Sequence, residues 1–333
     1  MKIRNLILVL SALALPLQAA EVGTSYLSLP VAVKQAESKL VGVFLARPVL
    51  LKGVLQNPVA EGGTSFTASG SNVFSGYTAA DESTTNALAP ASDNLYVVEI
   101  TSGPYNGLVK QVGSFSNSTL SLKTSDAFPA LSANTTFVLR KDNTIASVFG
   151  DGATVAVLTG TSTANADVVS ILDKTGVYKR FFYRTGSGWR WENDRLAGGA
   201  NRANVRISLG TGVLYKAYSN KNIYLSGEYR GTRSLINIAQ NGTIVANPYP
   251  VAVKLKDSGL KDYLYQDTDS STADTLKFLD SGSLVEIFHN TANFVKSNGG
   301  ANSDDRLLEV GGAFILRPNA PEMIALSPQV ITK

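Results

Sequence analysis

After its first 25 residues the chain reads as one short apolar run after another. The runs fall at 26–33 (YLSLPVAV), 95–101 (LYVVEIT), 119–123 (TLSLK), 137–140 (FVLR), 177–183 (VYKRFFY), 213–218 (VLYKAY) and 284–288 (LVEIF). Each is rich in β-branched or aromatic residues and is bounded by Gly, Asn, Ser or Asp, which predicts strands. Helical periodicity is nearly absent; a short helix is expected at 33–40 and another at 255–265. Residues 78–94 (TAADESTTNALAPASDN) are small and polar and read as a long loop.

The pattern repeats. PVAVK occurs at 30–34 and again at 250–254. GGAN at 198–201 recurs at 299–302, about 101 residues later, and the same offset sets ISLG (207–210) against LEVG (308–311) and IYLS (223–226) against IALS (324–327). Upstream, Ala166-Asp167 with Leu172-Asp173 matches Ala273-Asp274 with Leu279-Asp280. The expectation is one β module present twice, the first copy interrupted by an insert. Residues 21–41 with 160–235 would form the first module, 42–159 the inserted β-domain and 236–333 the second module. The run FVLR at 137–140 also echoes FILR at 314–317, so the insert itself is a candidate for a worn third copy.

The opening residues predict export. Lys2 and Arg4 precede an apolar run, Leu6 to Leu17, and Ala19-Ala20 offer small residues at a cleavage point. Residues 1–20 thus read as a signal peptide, too short in its apolar part to span a membrane. After its removal no stretch approaches the roughly 20 apolar residues of a spanning helix. Loss of Lys2 and Arg4 leaves a net charge of about +2, too balanced for a nucleic-acid partner. With no Cys there are no disulfides and no thiolate chemistry, so stability rests on the core.

SLPVAV and FLARP (44–48), YVVEITSGPYNG (96–107), FYRTGSGWR (182–190), NPYPVAVKLKDSGL (247–260) and GGAFILRPNAP (311–321) follow one another in an order that resembles a family of uncharacterised exported bacterial β-rich proteins, with duplicated PVAVK, GSGWR and GxFILR-type modules. The resemblance spans most of the chain after residue 20 and implies export and β-architecture; it implies no reaction. The second repeat departs from it, having Ala292-Asn293-Phe294 where the first has GSGWR.

Candidate chemistry is sparse. His289 is the only histidine, which excludes a two-His metal site and leaves a structural role as its simplest reading. Asp267, Asp269 and Asp274 lie close in sequence, but the turn glycine and late Glu of a calcium loop are missing, so no metal is expected. Glu192, Asp194 and Glu228 are the carboxylates nearest to aromatics in sequence, the place where a sugar-cleaving pair would be sought. Trp189 and Trp191, the only tryptophans, flank Arg190 and follow Phe181, Phe182 and Tyr183. Two apart on a strand, the tryptophans share a face. Burial in the core is the favoured reading of that face; exposed, Tyr183, Trp189, Arg190 and Trp191 would form a binding platform for sugar rings or a protein partner.

The expected fold is all-β: two related β-sandwich or barrel-like modules with an inserted small β-domain. The expected role is that of an exported structural or adhesive protein of the cell envelope or the medium, with polysaccharide or another envelope protein as partner and no cofactor. The alternatives are a carbohydrate-active hydrolase or lyase, which needs a cleft with paired carboxylates, and an outer-membrane β-barrel, which needs strands of about ten residues.

Overall fold

The computed structural model describes residues 26–80, 90, 92–124, 126–194 and 200–326. The expected signal peptide, Gly198, Gly199, Ser327 and most of the loop between Ala80 and Pro90 lie outside them. The described chain is all-β, with one α-helix of five residues.

A first pair of strands, β1 (Tyr26–Val33) and β2 (Ser38–Gly42), is followed by six that form their own sheet: β3 (Val49–Val54), β4 (Ser65–Thr67), β5 (Tyr96–Ile100), β6 (Val109–Ser116), β7 (Thr119–Leu122) and β8 (Thr136–Lys141). The chain then returns through β9 (Asn143–Thr144), α1 (Ile145–Phe149), β10 (Val168–Leu172), β11 (Tyr178–Arg184), β12 (Gly188–Trp191), β13 (Arg206–Ile207), β14 (Gly212–Lys216) and β15 (Lys221–Glu228). The last set is β16 (Ser234–Ile238), β17 (Thr243–Ala246), β18 (Val253–Lys254), β19 (Thr275–Asp280), β20 (Ser283–His289), β21 (Phe294–Lys296), β22 (Leu307–Leu308), β23 (Ala313–Arg317) and β24 (Glu322–Leu326).

Two units of nine strands share one pairing diagram. In the first, β12-β11-β10-β14-β2 form an antiparallel sheet, β1 pairs with β15 and β9 with β13; in the second, β21-β20-β19-β23-β17 form the sheet, β16 pairs with β24 and β18 with β22. The order β7-β6-β5-β8-β3 in the six-stranded sheet follows the same connectivity, with β4 added outside β7. On that diagram β8 takes the place of β23, which aligns FVLR with FILR as the sequence echo suggests.

The diagram also corrects the sequence reading. Val253–Lys254 is a two-residue ladder on β22, and its counterpart is β9; the counterpart of β1 is β16. The two PVAVK segments therefore occupy different places. One is the C-terminal half of an eight-residue strand; the other runs into a 3-10 turn at Leu255–Asp257. Shared β-branched composition, not shared position, makes them alike. The return to the first unit comes at Asn143 rather than near residue 160, because Ile145, Phe149 and Val157 pack into the first unit's core beside Val31, Val213 and Trp189. The segment expected to be helical at 33–40 is the turn between β1 and β2, and 255–265 holds two 3-10 turns.

The two units meet face to face at their edge strands. Gly42 N donates to Gly311 O (2.9 Å) and Ala246 N to Gly210 O (2.9 Å), a reciprocal pair, since Gly42 and Ala246 hold counterpart positions and so do Gly210 and Gly311. Around them Leu40, Leu214 and Leu172 of the first unit lie against Ile244, Ile315 and Leu279 of the second, again position for position. Gly42 has no side chain because a Cβ there would stand 2.4 Å from Gly312 O. The six-stranded sheet caps this pair. Its core takes in Leu235 and Ala325 of the second unit, and Arg140 on β8 reaches Glu99 on β5 (3.2 Å) and Glu228 on β15 (2.5 Å).

Candidate functional site

The β11–β12 hairpin sets Tyr183 opposite Trp189, Phe182 opposite Arg190 and Phe181 opposite Trp191. Alternation turns Phe181, Tyr183 and Trp189 into the first unit's core and leaves Trp191 half-buried at its margin. Trp189 is fully buried. Its indole N–H donates to Gly150 O (2.8 Å), and its ring meets Tyr183 edge-on at 5.6 Å. The Tyr183 hydroxyl accepts from Gly152 N (2.9 Å). Arg190, on the opposite face, is buried and donates to Ser187 O (2.8 Å). Trp191 carries the Lys179 ammonium 5.4 Å from its ring centre. The four residues are adjacent, but they do not form one exposed surface: Tyr183 and Trp189 tie the hairpin to the Gly150–Gly152 turn.

The second unit repeats this arrangement with other side chains. Phe294 stands where Trp189 does, and His289, opposite it, stands where Tyr183 does. The imidazole is buried edge-on to Phe294 at 4.8 Å, and that burial lowers its pKa below the usual histidine value. His289 thus sits in a packing position, the counterpart of a tyrosine.

The carboxylates singled out by sequence are engaged. Glu192 accepts from Arg180 (2.9 Å), Asp194 from Arg202 (2.7 and 3.0 Å) and Glu228 from Arg140. Arg202 holds the Asp194 carboxyl below its ordinary range. Asp267 and Asp269 cap local turns, whereas Asp274 is buried elsewhere, so the three do not converge. Among the described residues no group of three or more His, Asp or Glu is placed to hold a metal ion, and no helix is long and apolar enough to cross a membrane.

Sequence reasoning missed one feature of the carboxylates. Asp167 is buried in the first unit and is fully served: Leu158 N (2.7 Å), Tyr218 N (2.6 Å) and the Tyr215 hydroxyl (2.6 Å) donate to it, and Lys221 pairs with it. Its counterpart, Asp274, keeps the two backbone donors, Tyr265 N (2.6 Å) and Asn319 N (2.8 Å). The hydroxyl is gone, since Leu316 replaces Tyr215, and Glu322 replaces Lys221. Glu322 Oε1 is buried without a partner, and burial, then the Asp274 charge, raises the Glu322 pKa to about 7. The 101-residue offset applied to Lys221 was the available signal.

A folded-state pKa above the unfolded one means that the contribution of this group to stability is full below about 4.5 and is lost as pH rises through about 7. Glu322→Lys, which restores the first unit's pairing, is expected to remove that dependence. It should also stabilise the protein at pH 8 by about 1 kcal/mol, a value reduced for solvent screening at a half-exposed site. Melting temperatures of both proteins from pH 4 to pH 9 test this; parallel curves would refute it.

Several surfaces remain open among the described residues, and two of them bear on binding. A cleft of about 360 Å³ lies between β2 and the second unit, lined by Lys39, Asp280, Arg306 and Glu309 over Leu40 and Phe314. Its cations are spent: Arg306 is bidentate on Asp280 (2.8 and 2.5 Å) and lies over Phe278 at 4.2 Å, while Lys39 donates to Ala32 O (3.0 Å). The other surface is the solvent face of the β1–β15 ribbon, where Tyr224 and Tyr26 are 57% and 65% exposed. The strict alternation of 221–228 (KNIYLSGE) carries the signal for Tyr224, which stands between the buried Ile223 and Leu225.

The chain matches no family model, and no curated protein and no solved structure is significantly similar to it.

Proposed function

We propose that the chain is an exported, non-catalytic β-protein of the cell envelope or the medium, assembled from copies of one module, which binds polysaccharide. The observation that carries this reading is the division of labour among side chains. The lone imidazole and the carboxylates near the aromatics are committed to packing, ion pairs or backbone donors. The large side chains left in solvent include uncharged aromatics on a β-ribbon, and flat amphipathic rings of this kind suit sugar faces. A hydrolytic reading has Glu322 beside Asp274 on its side. Against it, Asp274 is buried with both oxygens bonded to backbone N–H groups, which leaves it no lone role as nucleophile or base.

A glycan array probed with the full chain lacking residues 1–20 tests the proposal, with the same protein incubated with the bound glycans to detect cleavage. Binding to polysaccharide without release of reducing ends is expected. Cleavage that Glu322→Gln abolishes would overturn the non-catalytic reading, and absence of glycan binding would overturn the polysaccharide one.

A further inference from the structure

The solvent faces of the two counterpart ribbons, β1–β15 and β16–β24, have different fates. Register sets Pro30 opposite Tyr224 in the first and Leu235 opposite Ala325 in the second, so Pro30 corresponds to Leu235 and Tyr224 to Ala325. Leu235 and Ala325 are buried in the core of the six-stranded sheet. Leu235 also makes a parallel bridge to Leu108, and its N–H donates to Gly107 O (3.2 Å). Pro30 has no N–H, so it cannot make the bond that seats a β-domain on the other ribbon. Pro30 and Tyr224 are both exposed.

We infer that the exposed face of the β1–β15 ribbon, centred on Pro30 and Tyr224, is a binding site for a neutral polysaccharide chain. This rests on the polysaccharide reading above and names the surface that serves it. Two exposed rings, Tyr224 and Tyr26, flank Pro30 on one face, and Ser28, Ser226 and Asn222 stand around them with hydroxyl and amide groups. Rings offer a flat apolar contact to the C–H face of a pyranose, while hydroxyls and amides exchange hydrogen bonds with its oxygens. Between Tyr26 and Tyr224 the one charged side chain is Glu228, opposite Tyr26, and Arg140 pairs with it, so an ionic partner has no unpaired charge to complement. The four-residue step from Tyr26 to Pro30 spans roughly 13 Å at strand rise, longer than one sugar ring, so the ligand is a chain.

The test is affinity electrophoresis of the full chain lacking residues 1–20 in gels containing dextran, laminarin, galactomannan or, as an anionic contrast, alginate. Retardation by at least one neutral glycan is expected. Tyr224→Ala is expected to weaken it at least tenfold, and Tyr224→Phe less than threefold, with melting temperatures unchanged. Ser28→Arg, which obstructs the face without removing a ring, should weaken it similarly and serves if Tyr224→Ala fails to fold. Retardation of wild type that both Tyr224→Ala and Ser28→Arg leave intact would overturn this face while sparing the polysaccharide reading. Retardation by alginate alone, lost in salt, would overturn the neutral ligand. No retardation by any of the four would overturn the face and count against the polysaccharide reading together.

Discussion

Truncating Trp189 to alanine is expected to destabilise the first unit by about 3–5 kcal/mol, the usual cost of deleting a buried aromatic side chain. The side chain is fully enclosed, and its loss opens a void between Tyr183 (5.6 Å) and Phe149 (6.3 Å). It also strips Gly150 O of the indole N–H donor. The second unit supplies a natural control: Phe294 fills the counterpart position. Trp189→Phe should therefore cost less, about 1–2 kcal/mol, chiefly the lost hydrogen bond and a smaller void. Urea denaturation followed by far-UV circular dichroism measures both. A loss below about 1 kcal/mol for the alanine variant would contradict the packing described for this hairpin. Fluorescence separates the two indoles, since Trp191 is the one left in the variants; its emission should be red-shifted and more readily quenched by iodide than that of wild type.

Removing Arg140 should cost a similar amount for a different reason. Its guanidinium is nearly inaccessible and joins Glu99 (3.2 Å), Glu228 (2.5 Å) and Arg47 O (2.7 Å). Glu99 also faces Arg230 at 3.6 Å, and burial lowers the pKa of that second guanidinium. Intact, the set is balanced and adds little net stability, because desolvation offsets the attraction. Arg140→Ala leaves Glu228 without its partner beside a buried Glu99, and about 3–5 kcal/mol is the expected loss near neutral pH. Arg140→Ala in a Glu99→Gln background should cost less than it does alone, as coupling in one network requires. A cost that is the same in that background would mean that the loss is one of shape and not of charge.

Much of the architecture is legible in the chain. Period-two runs of Val, Ile, Tyr and Phe are found as strands because a half-buried sheet selects them, and the 101-residue offset holds from β13/β22 through β15/β24. The limits of that reading are physical too. PVAVK is too short and too generic to fix a position: any two β-branched strands look alike over five residues, and only the ladder partner tells β1 from β18. The return to the first unit at Asn143 was hidden because 145–157 is apolar whichever core it joins. The four candidate site residues are neighbours in sequence, but neighbours on a strand divide between faces, so Tyr183 and Trp189 point inward and Arg190 to the other side. Tyr224 needed knowledge of what lies over each ribbon, which is tertiary information.

The interruption between β2 and β9 has a consequence for how the chain assembles itself. In the second unit about six residues separate the corresponding strands; in the first, about 100 do. Were that long segment still a random coil when β2 met β14, holding its ends together would cost about 2.5 kcal/mol more in chain entropy than the short link does. Once the six-stranded sheet has formed, its own contacts hold the two ends near each other, as the pairing of Val49 on β3 with Arg140 on β8 illustrates, and that penalty vanishes. The inserted sheet is then the element whose early folding makes the first unit possible. Lesions in its core, at Phe66 or Phe137 for instance, would slow the appearance of tertiary structure around Trp189 as well as their own.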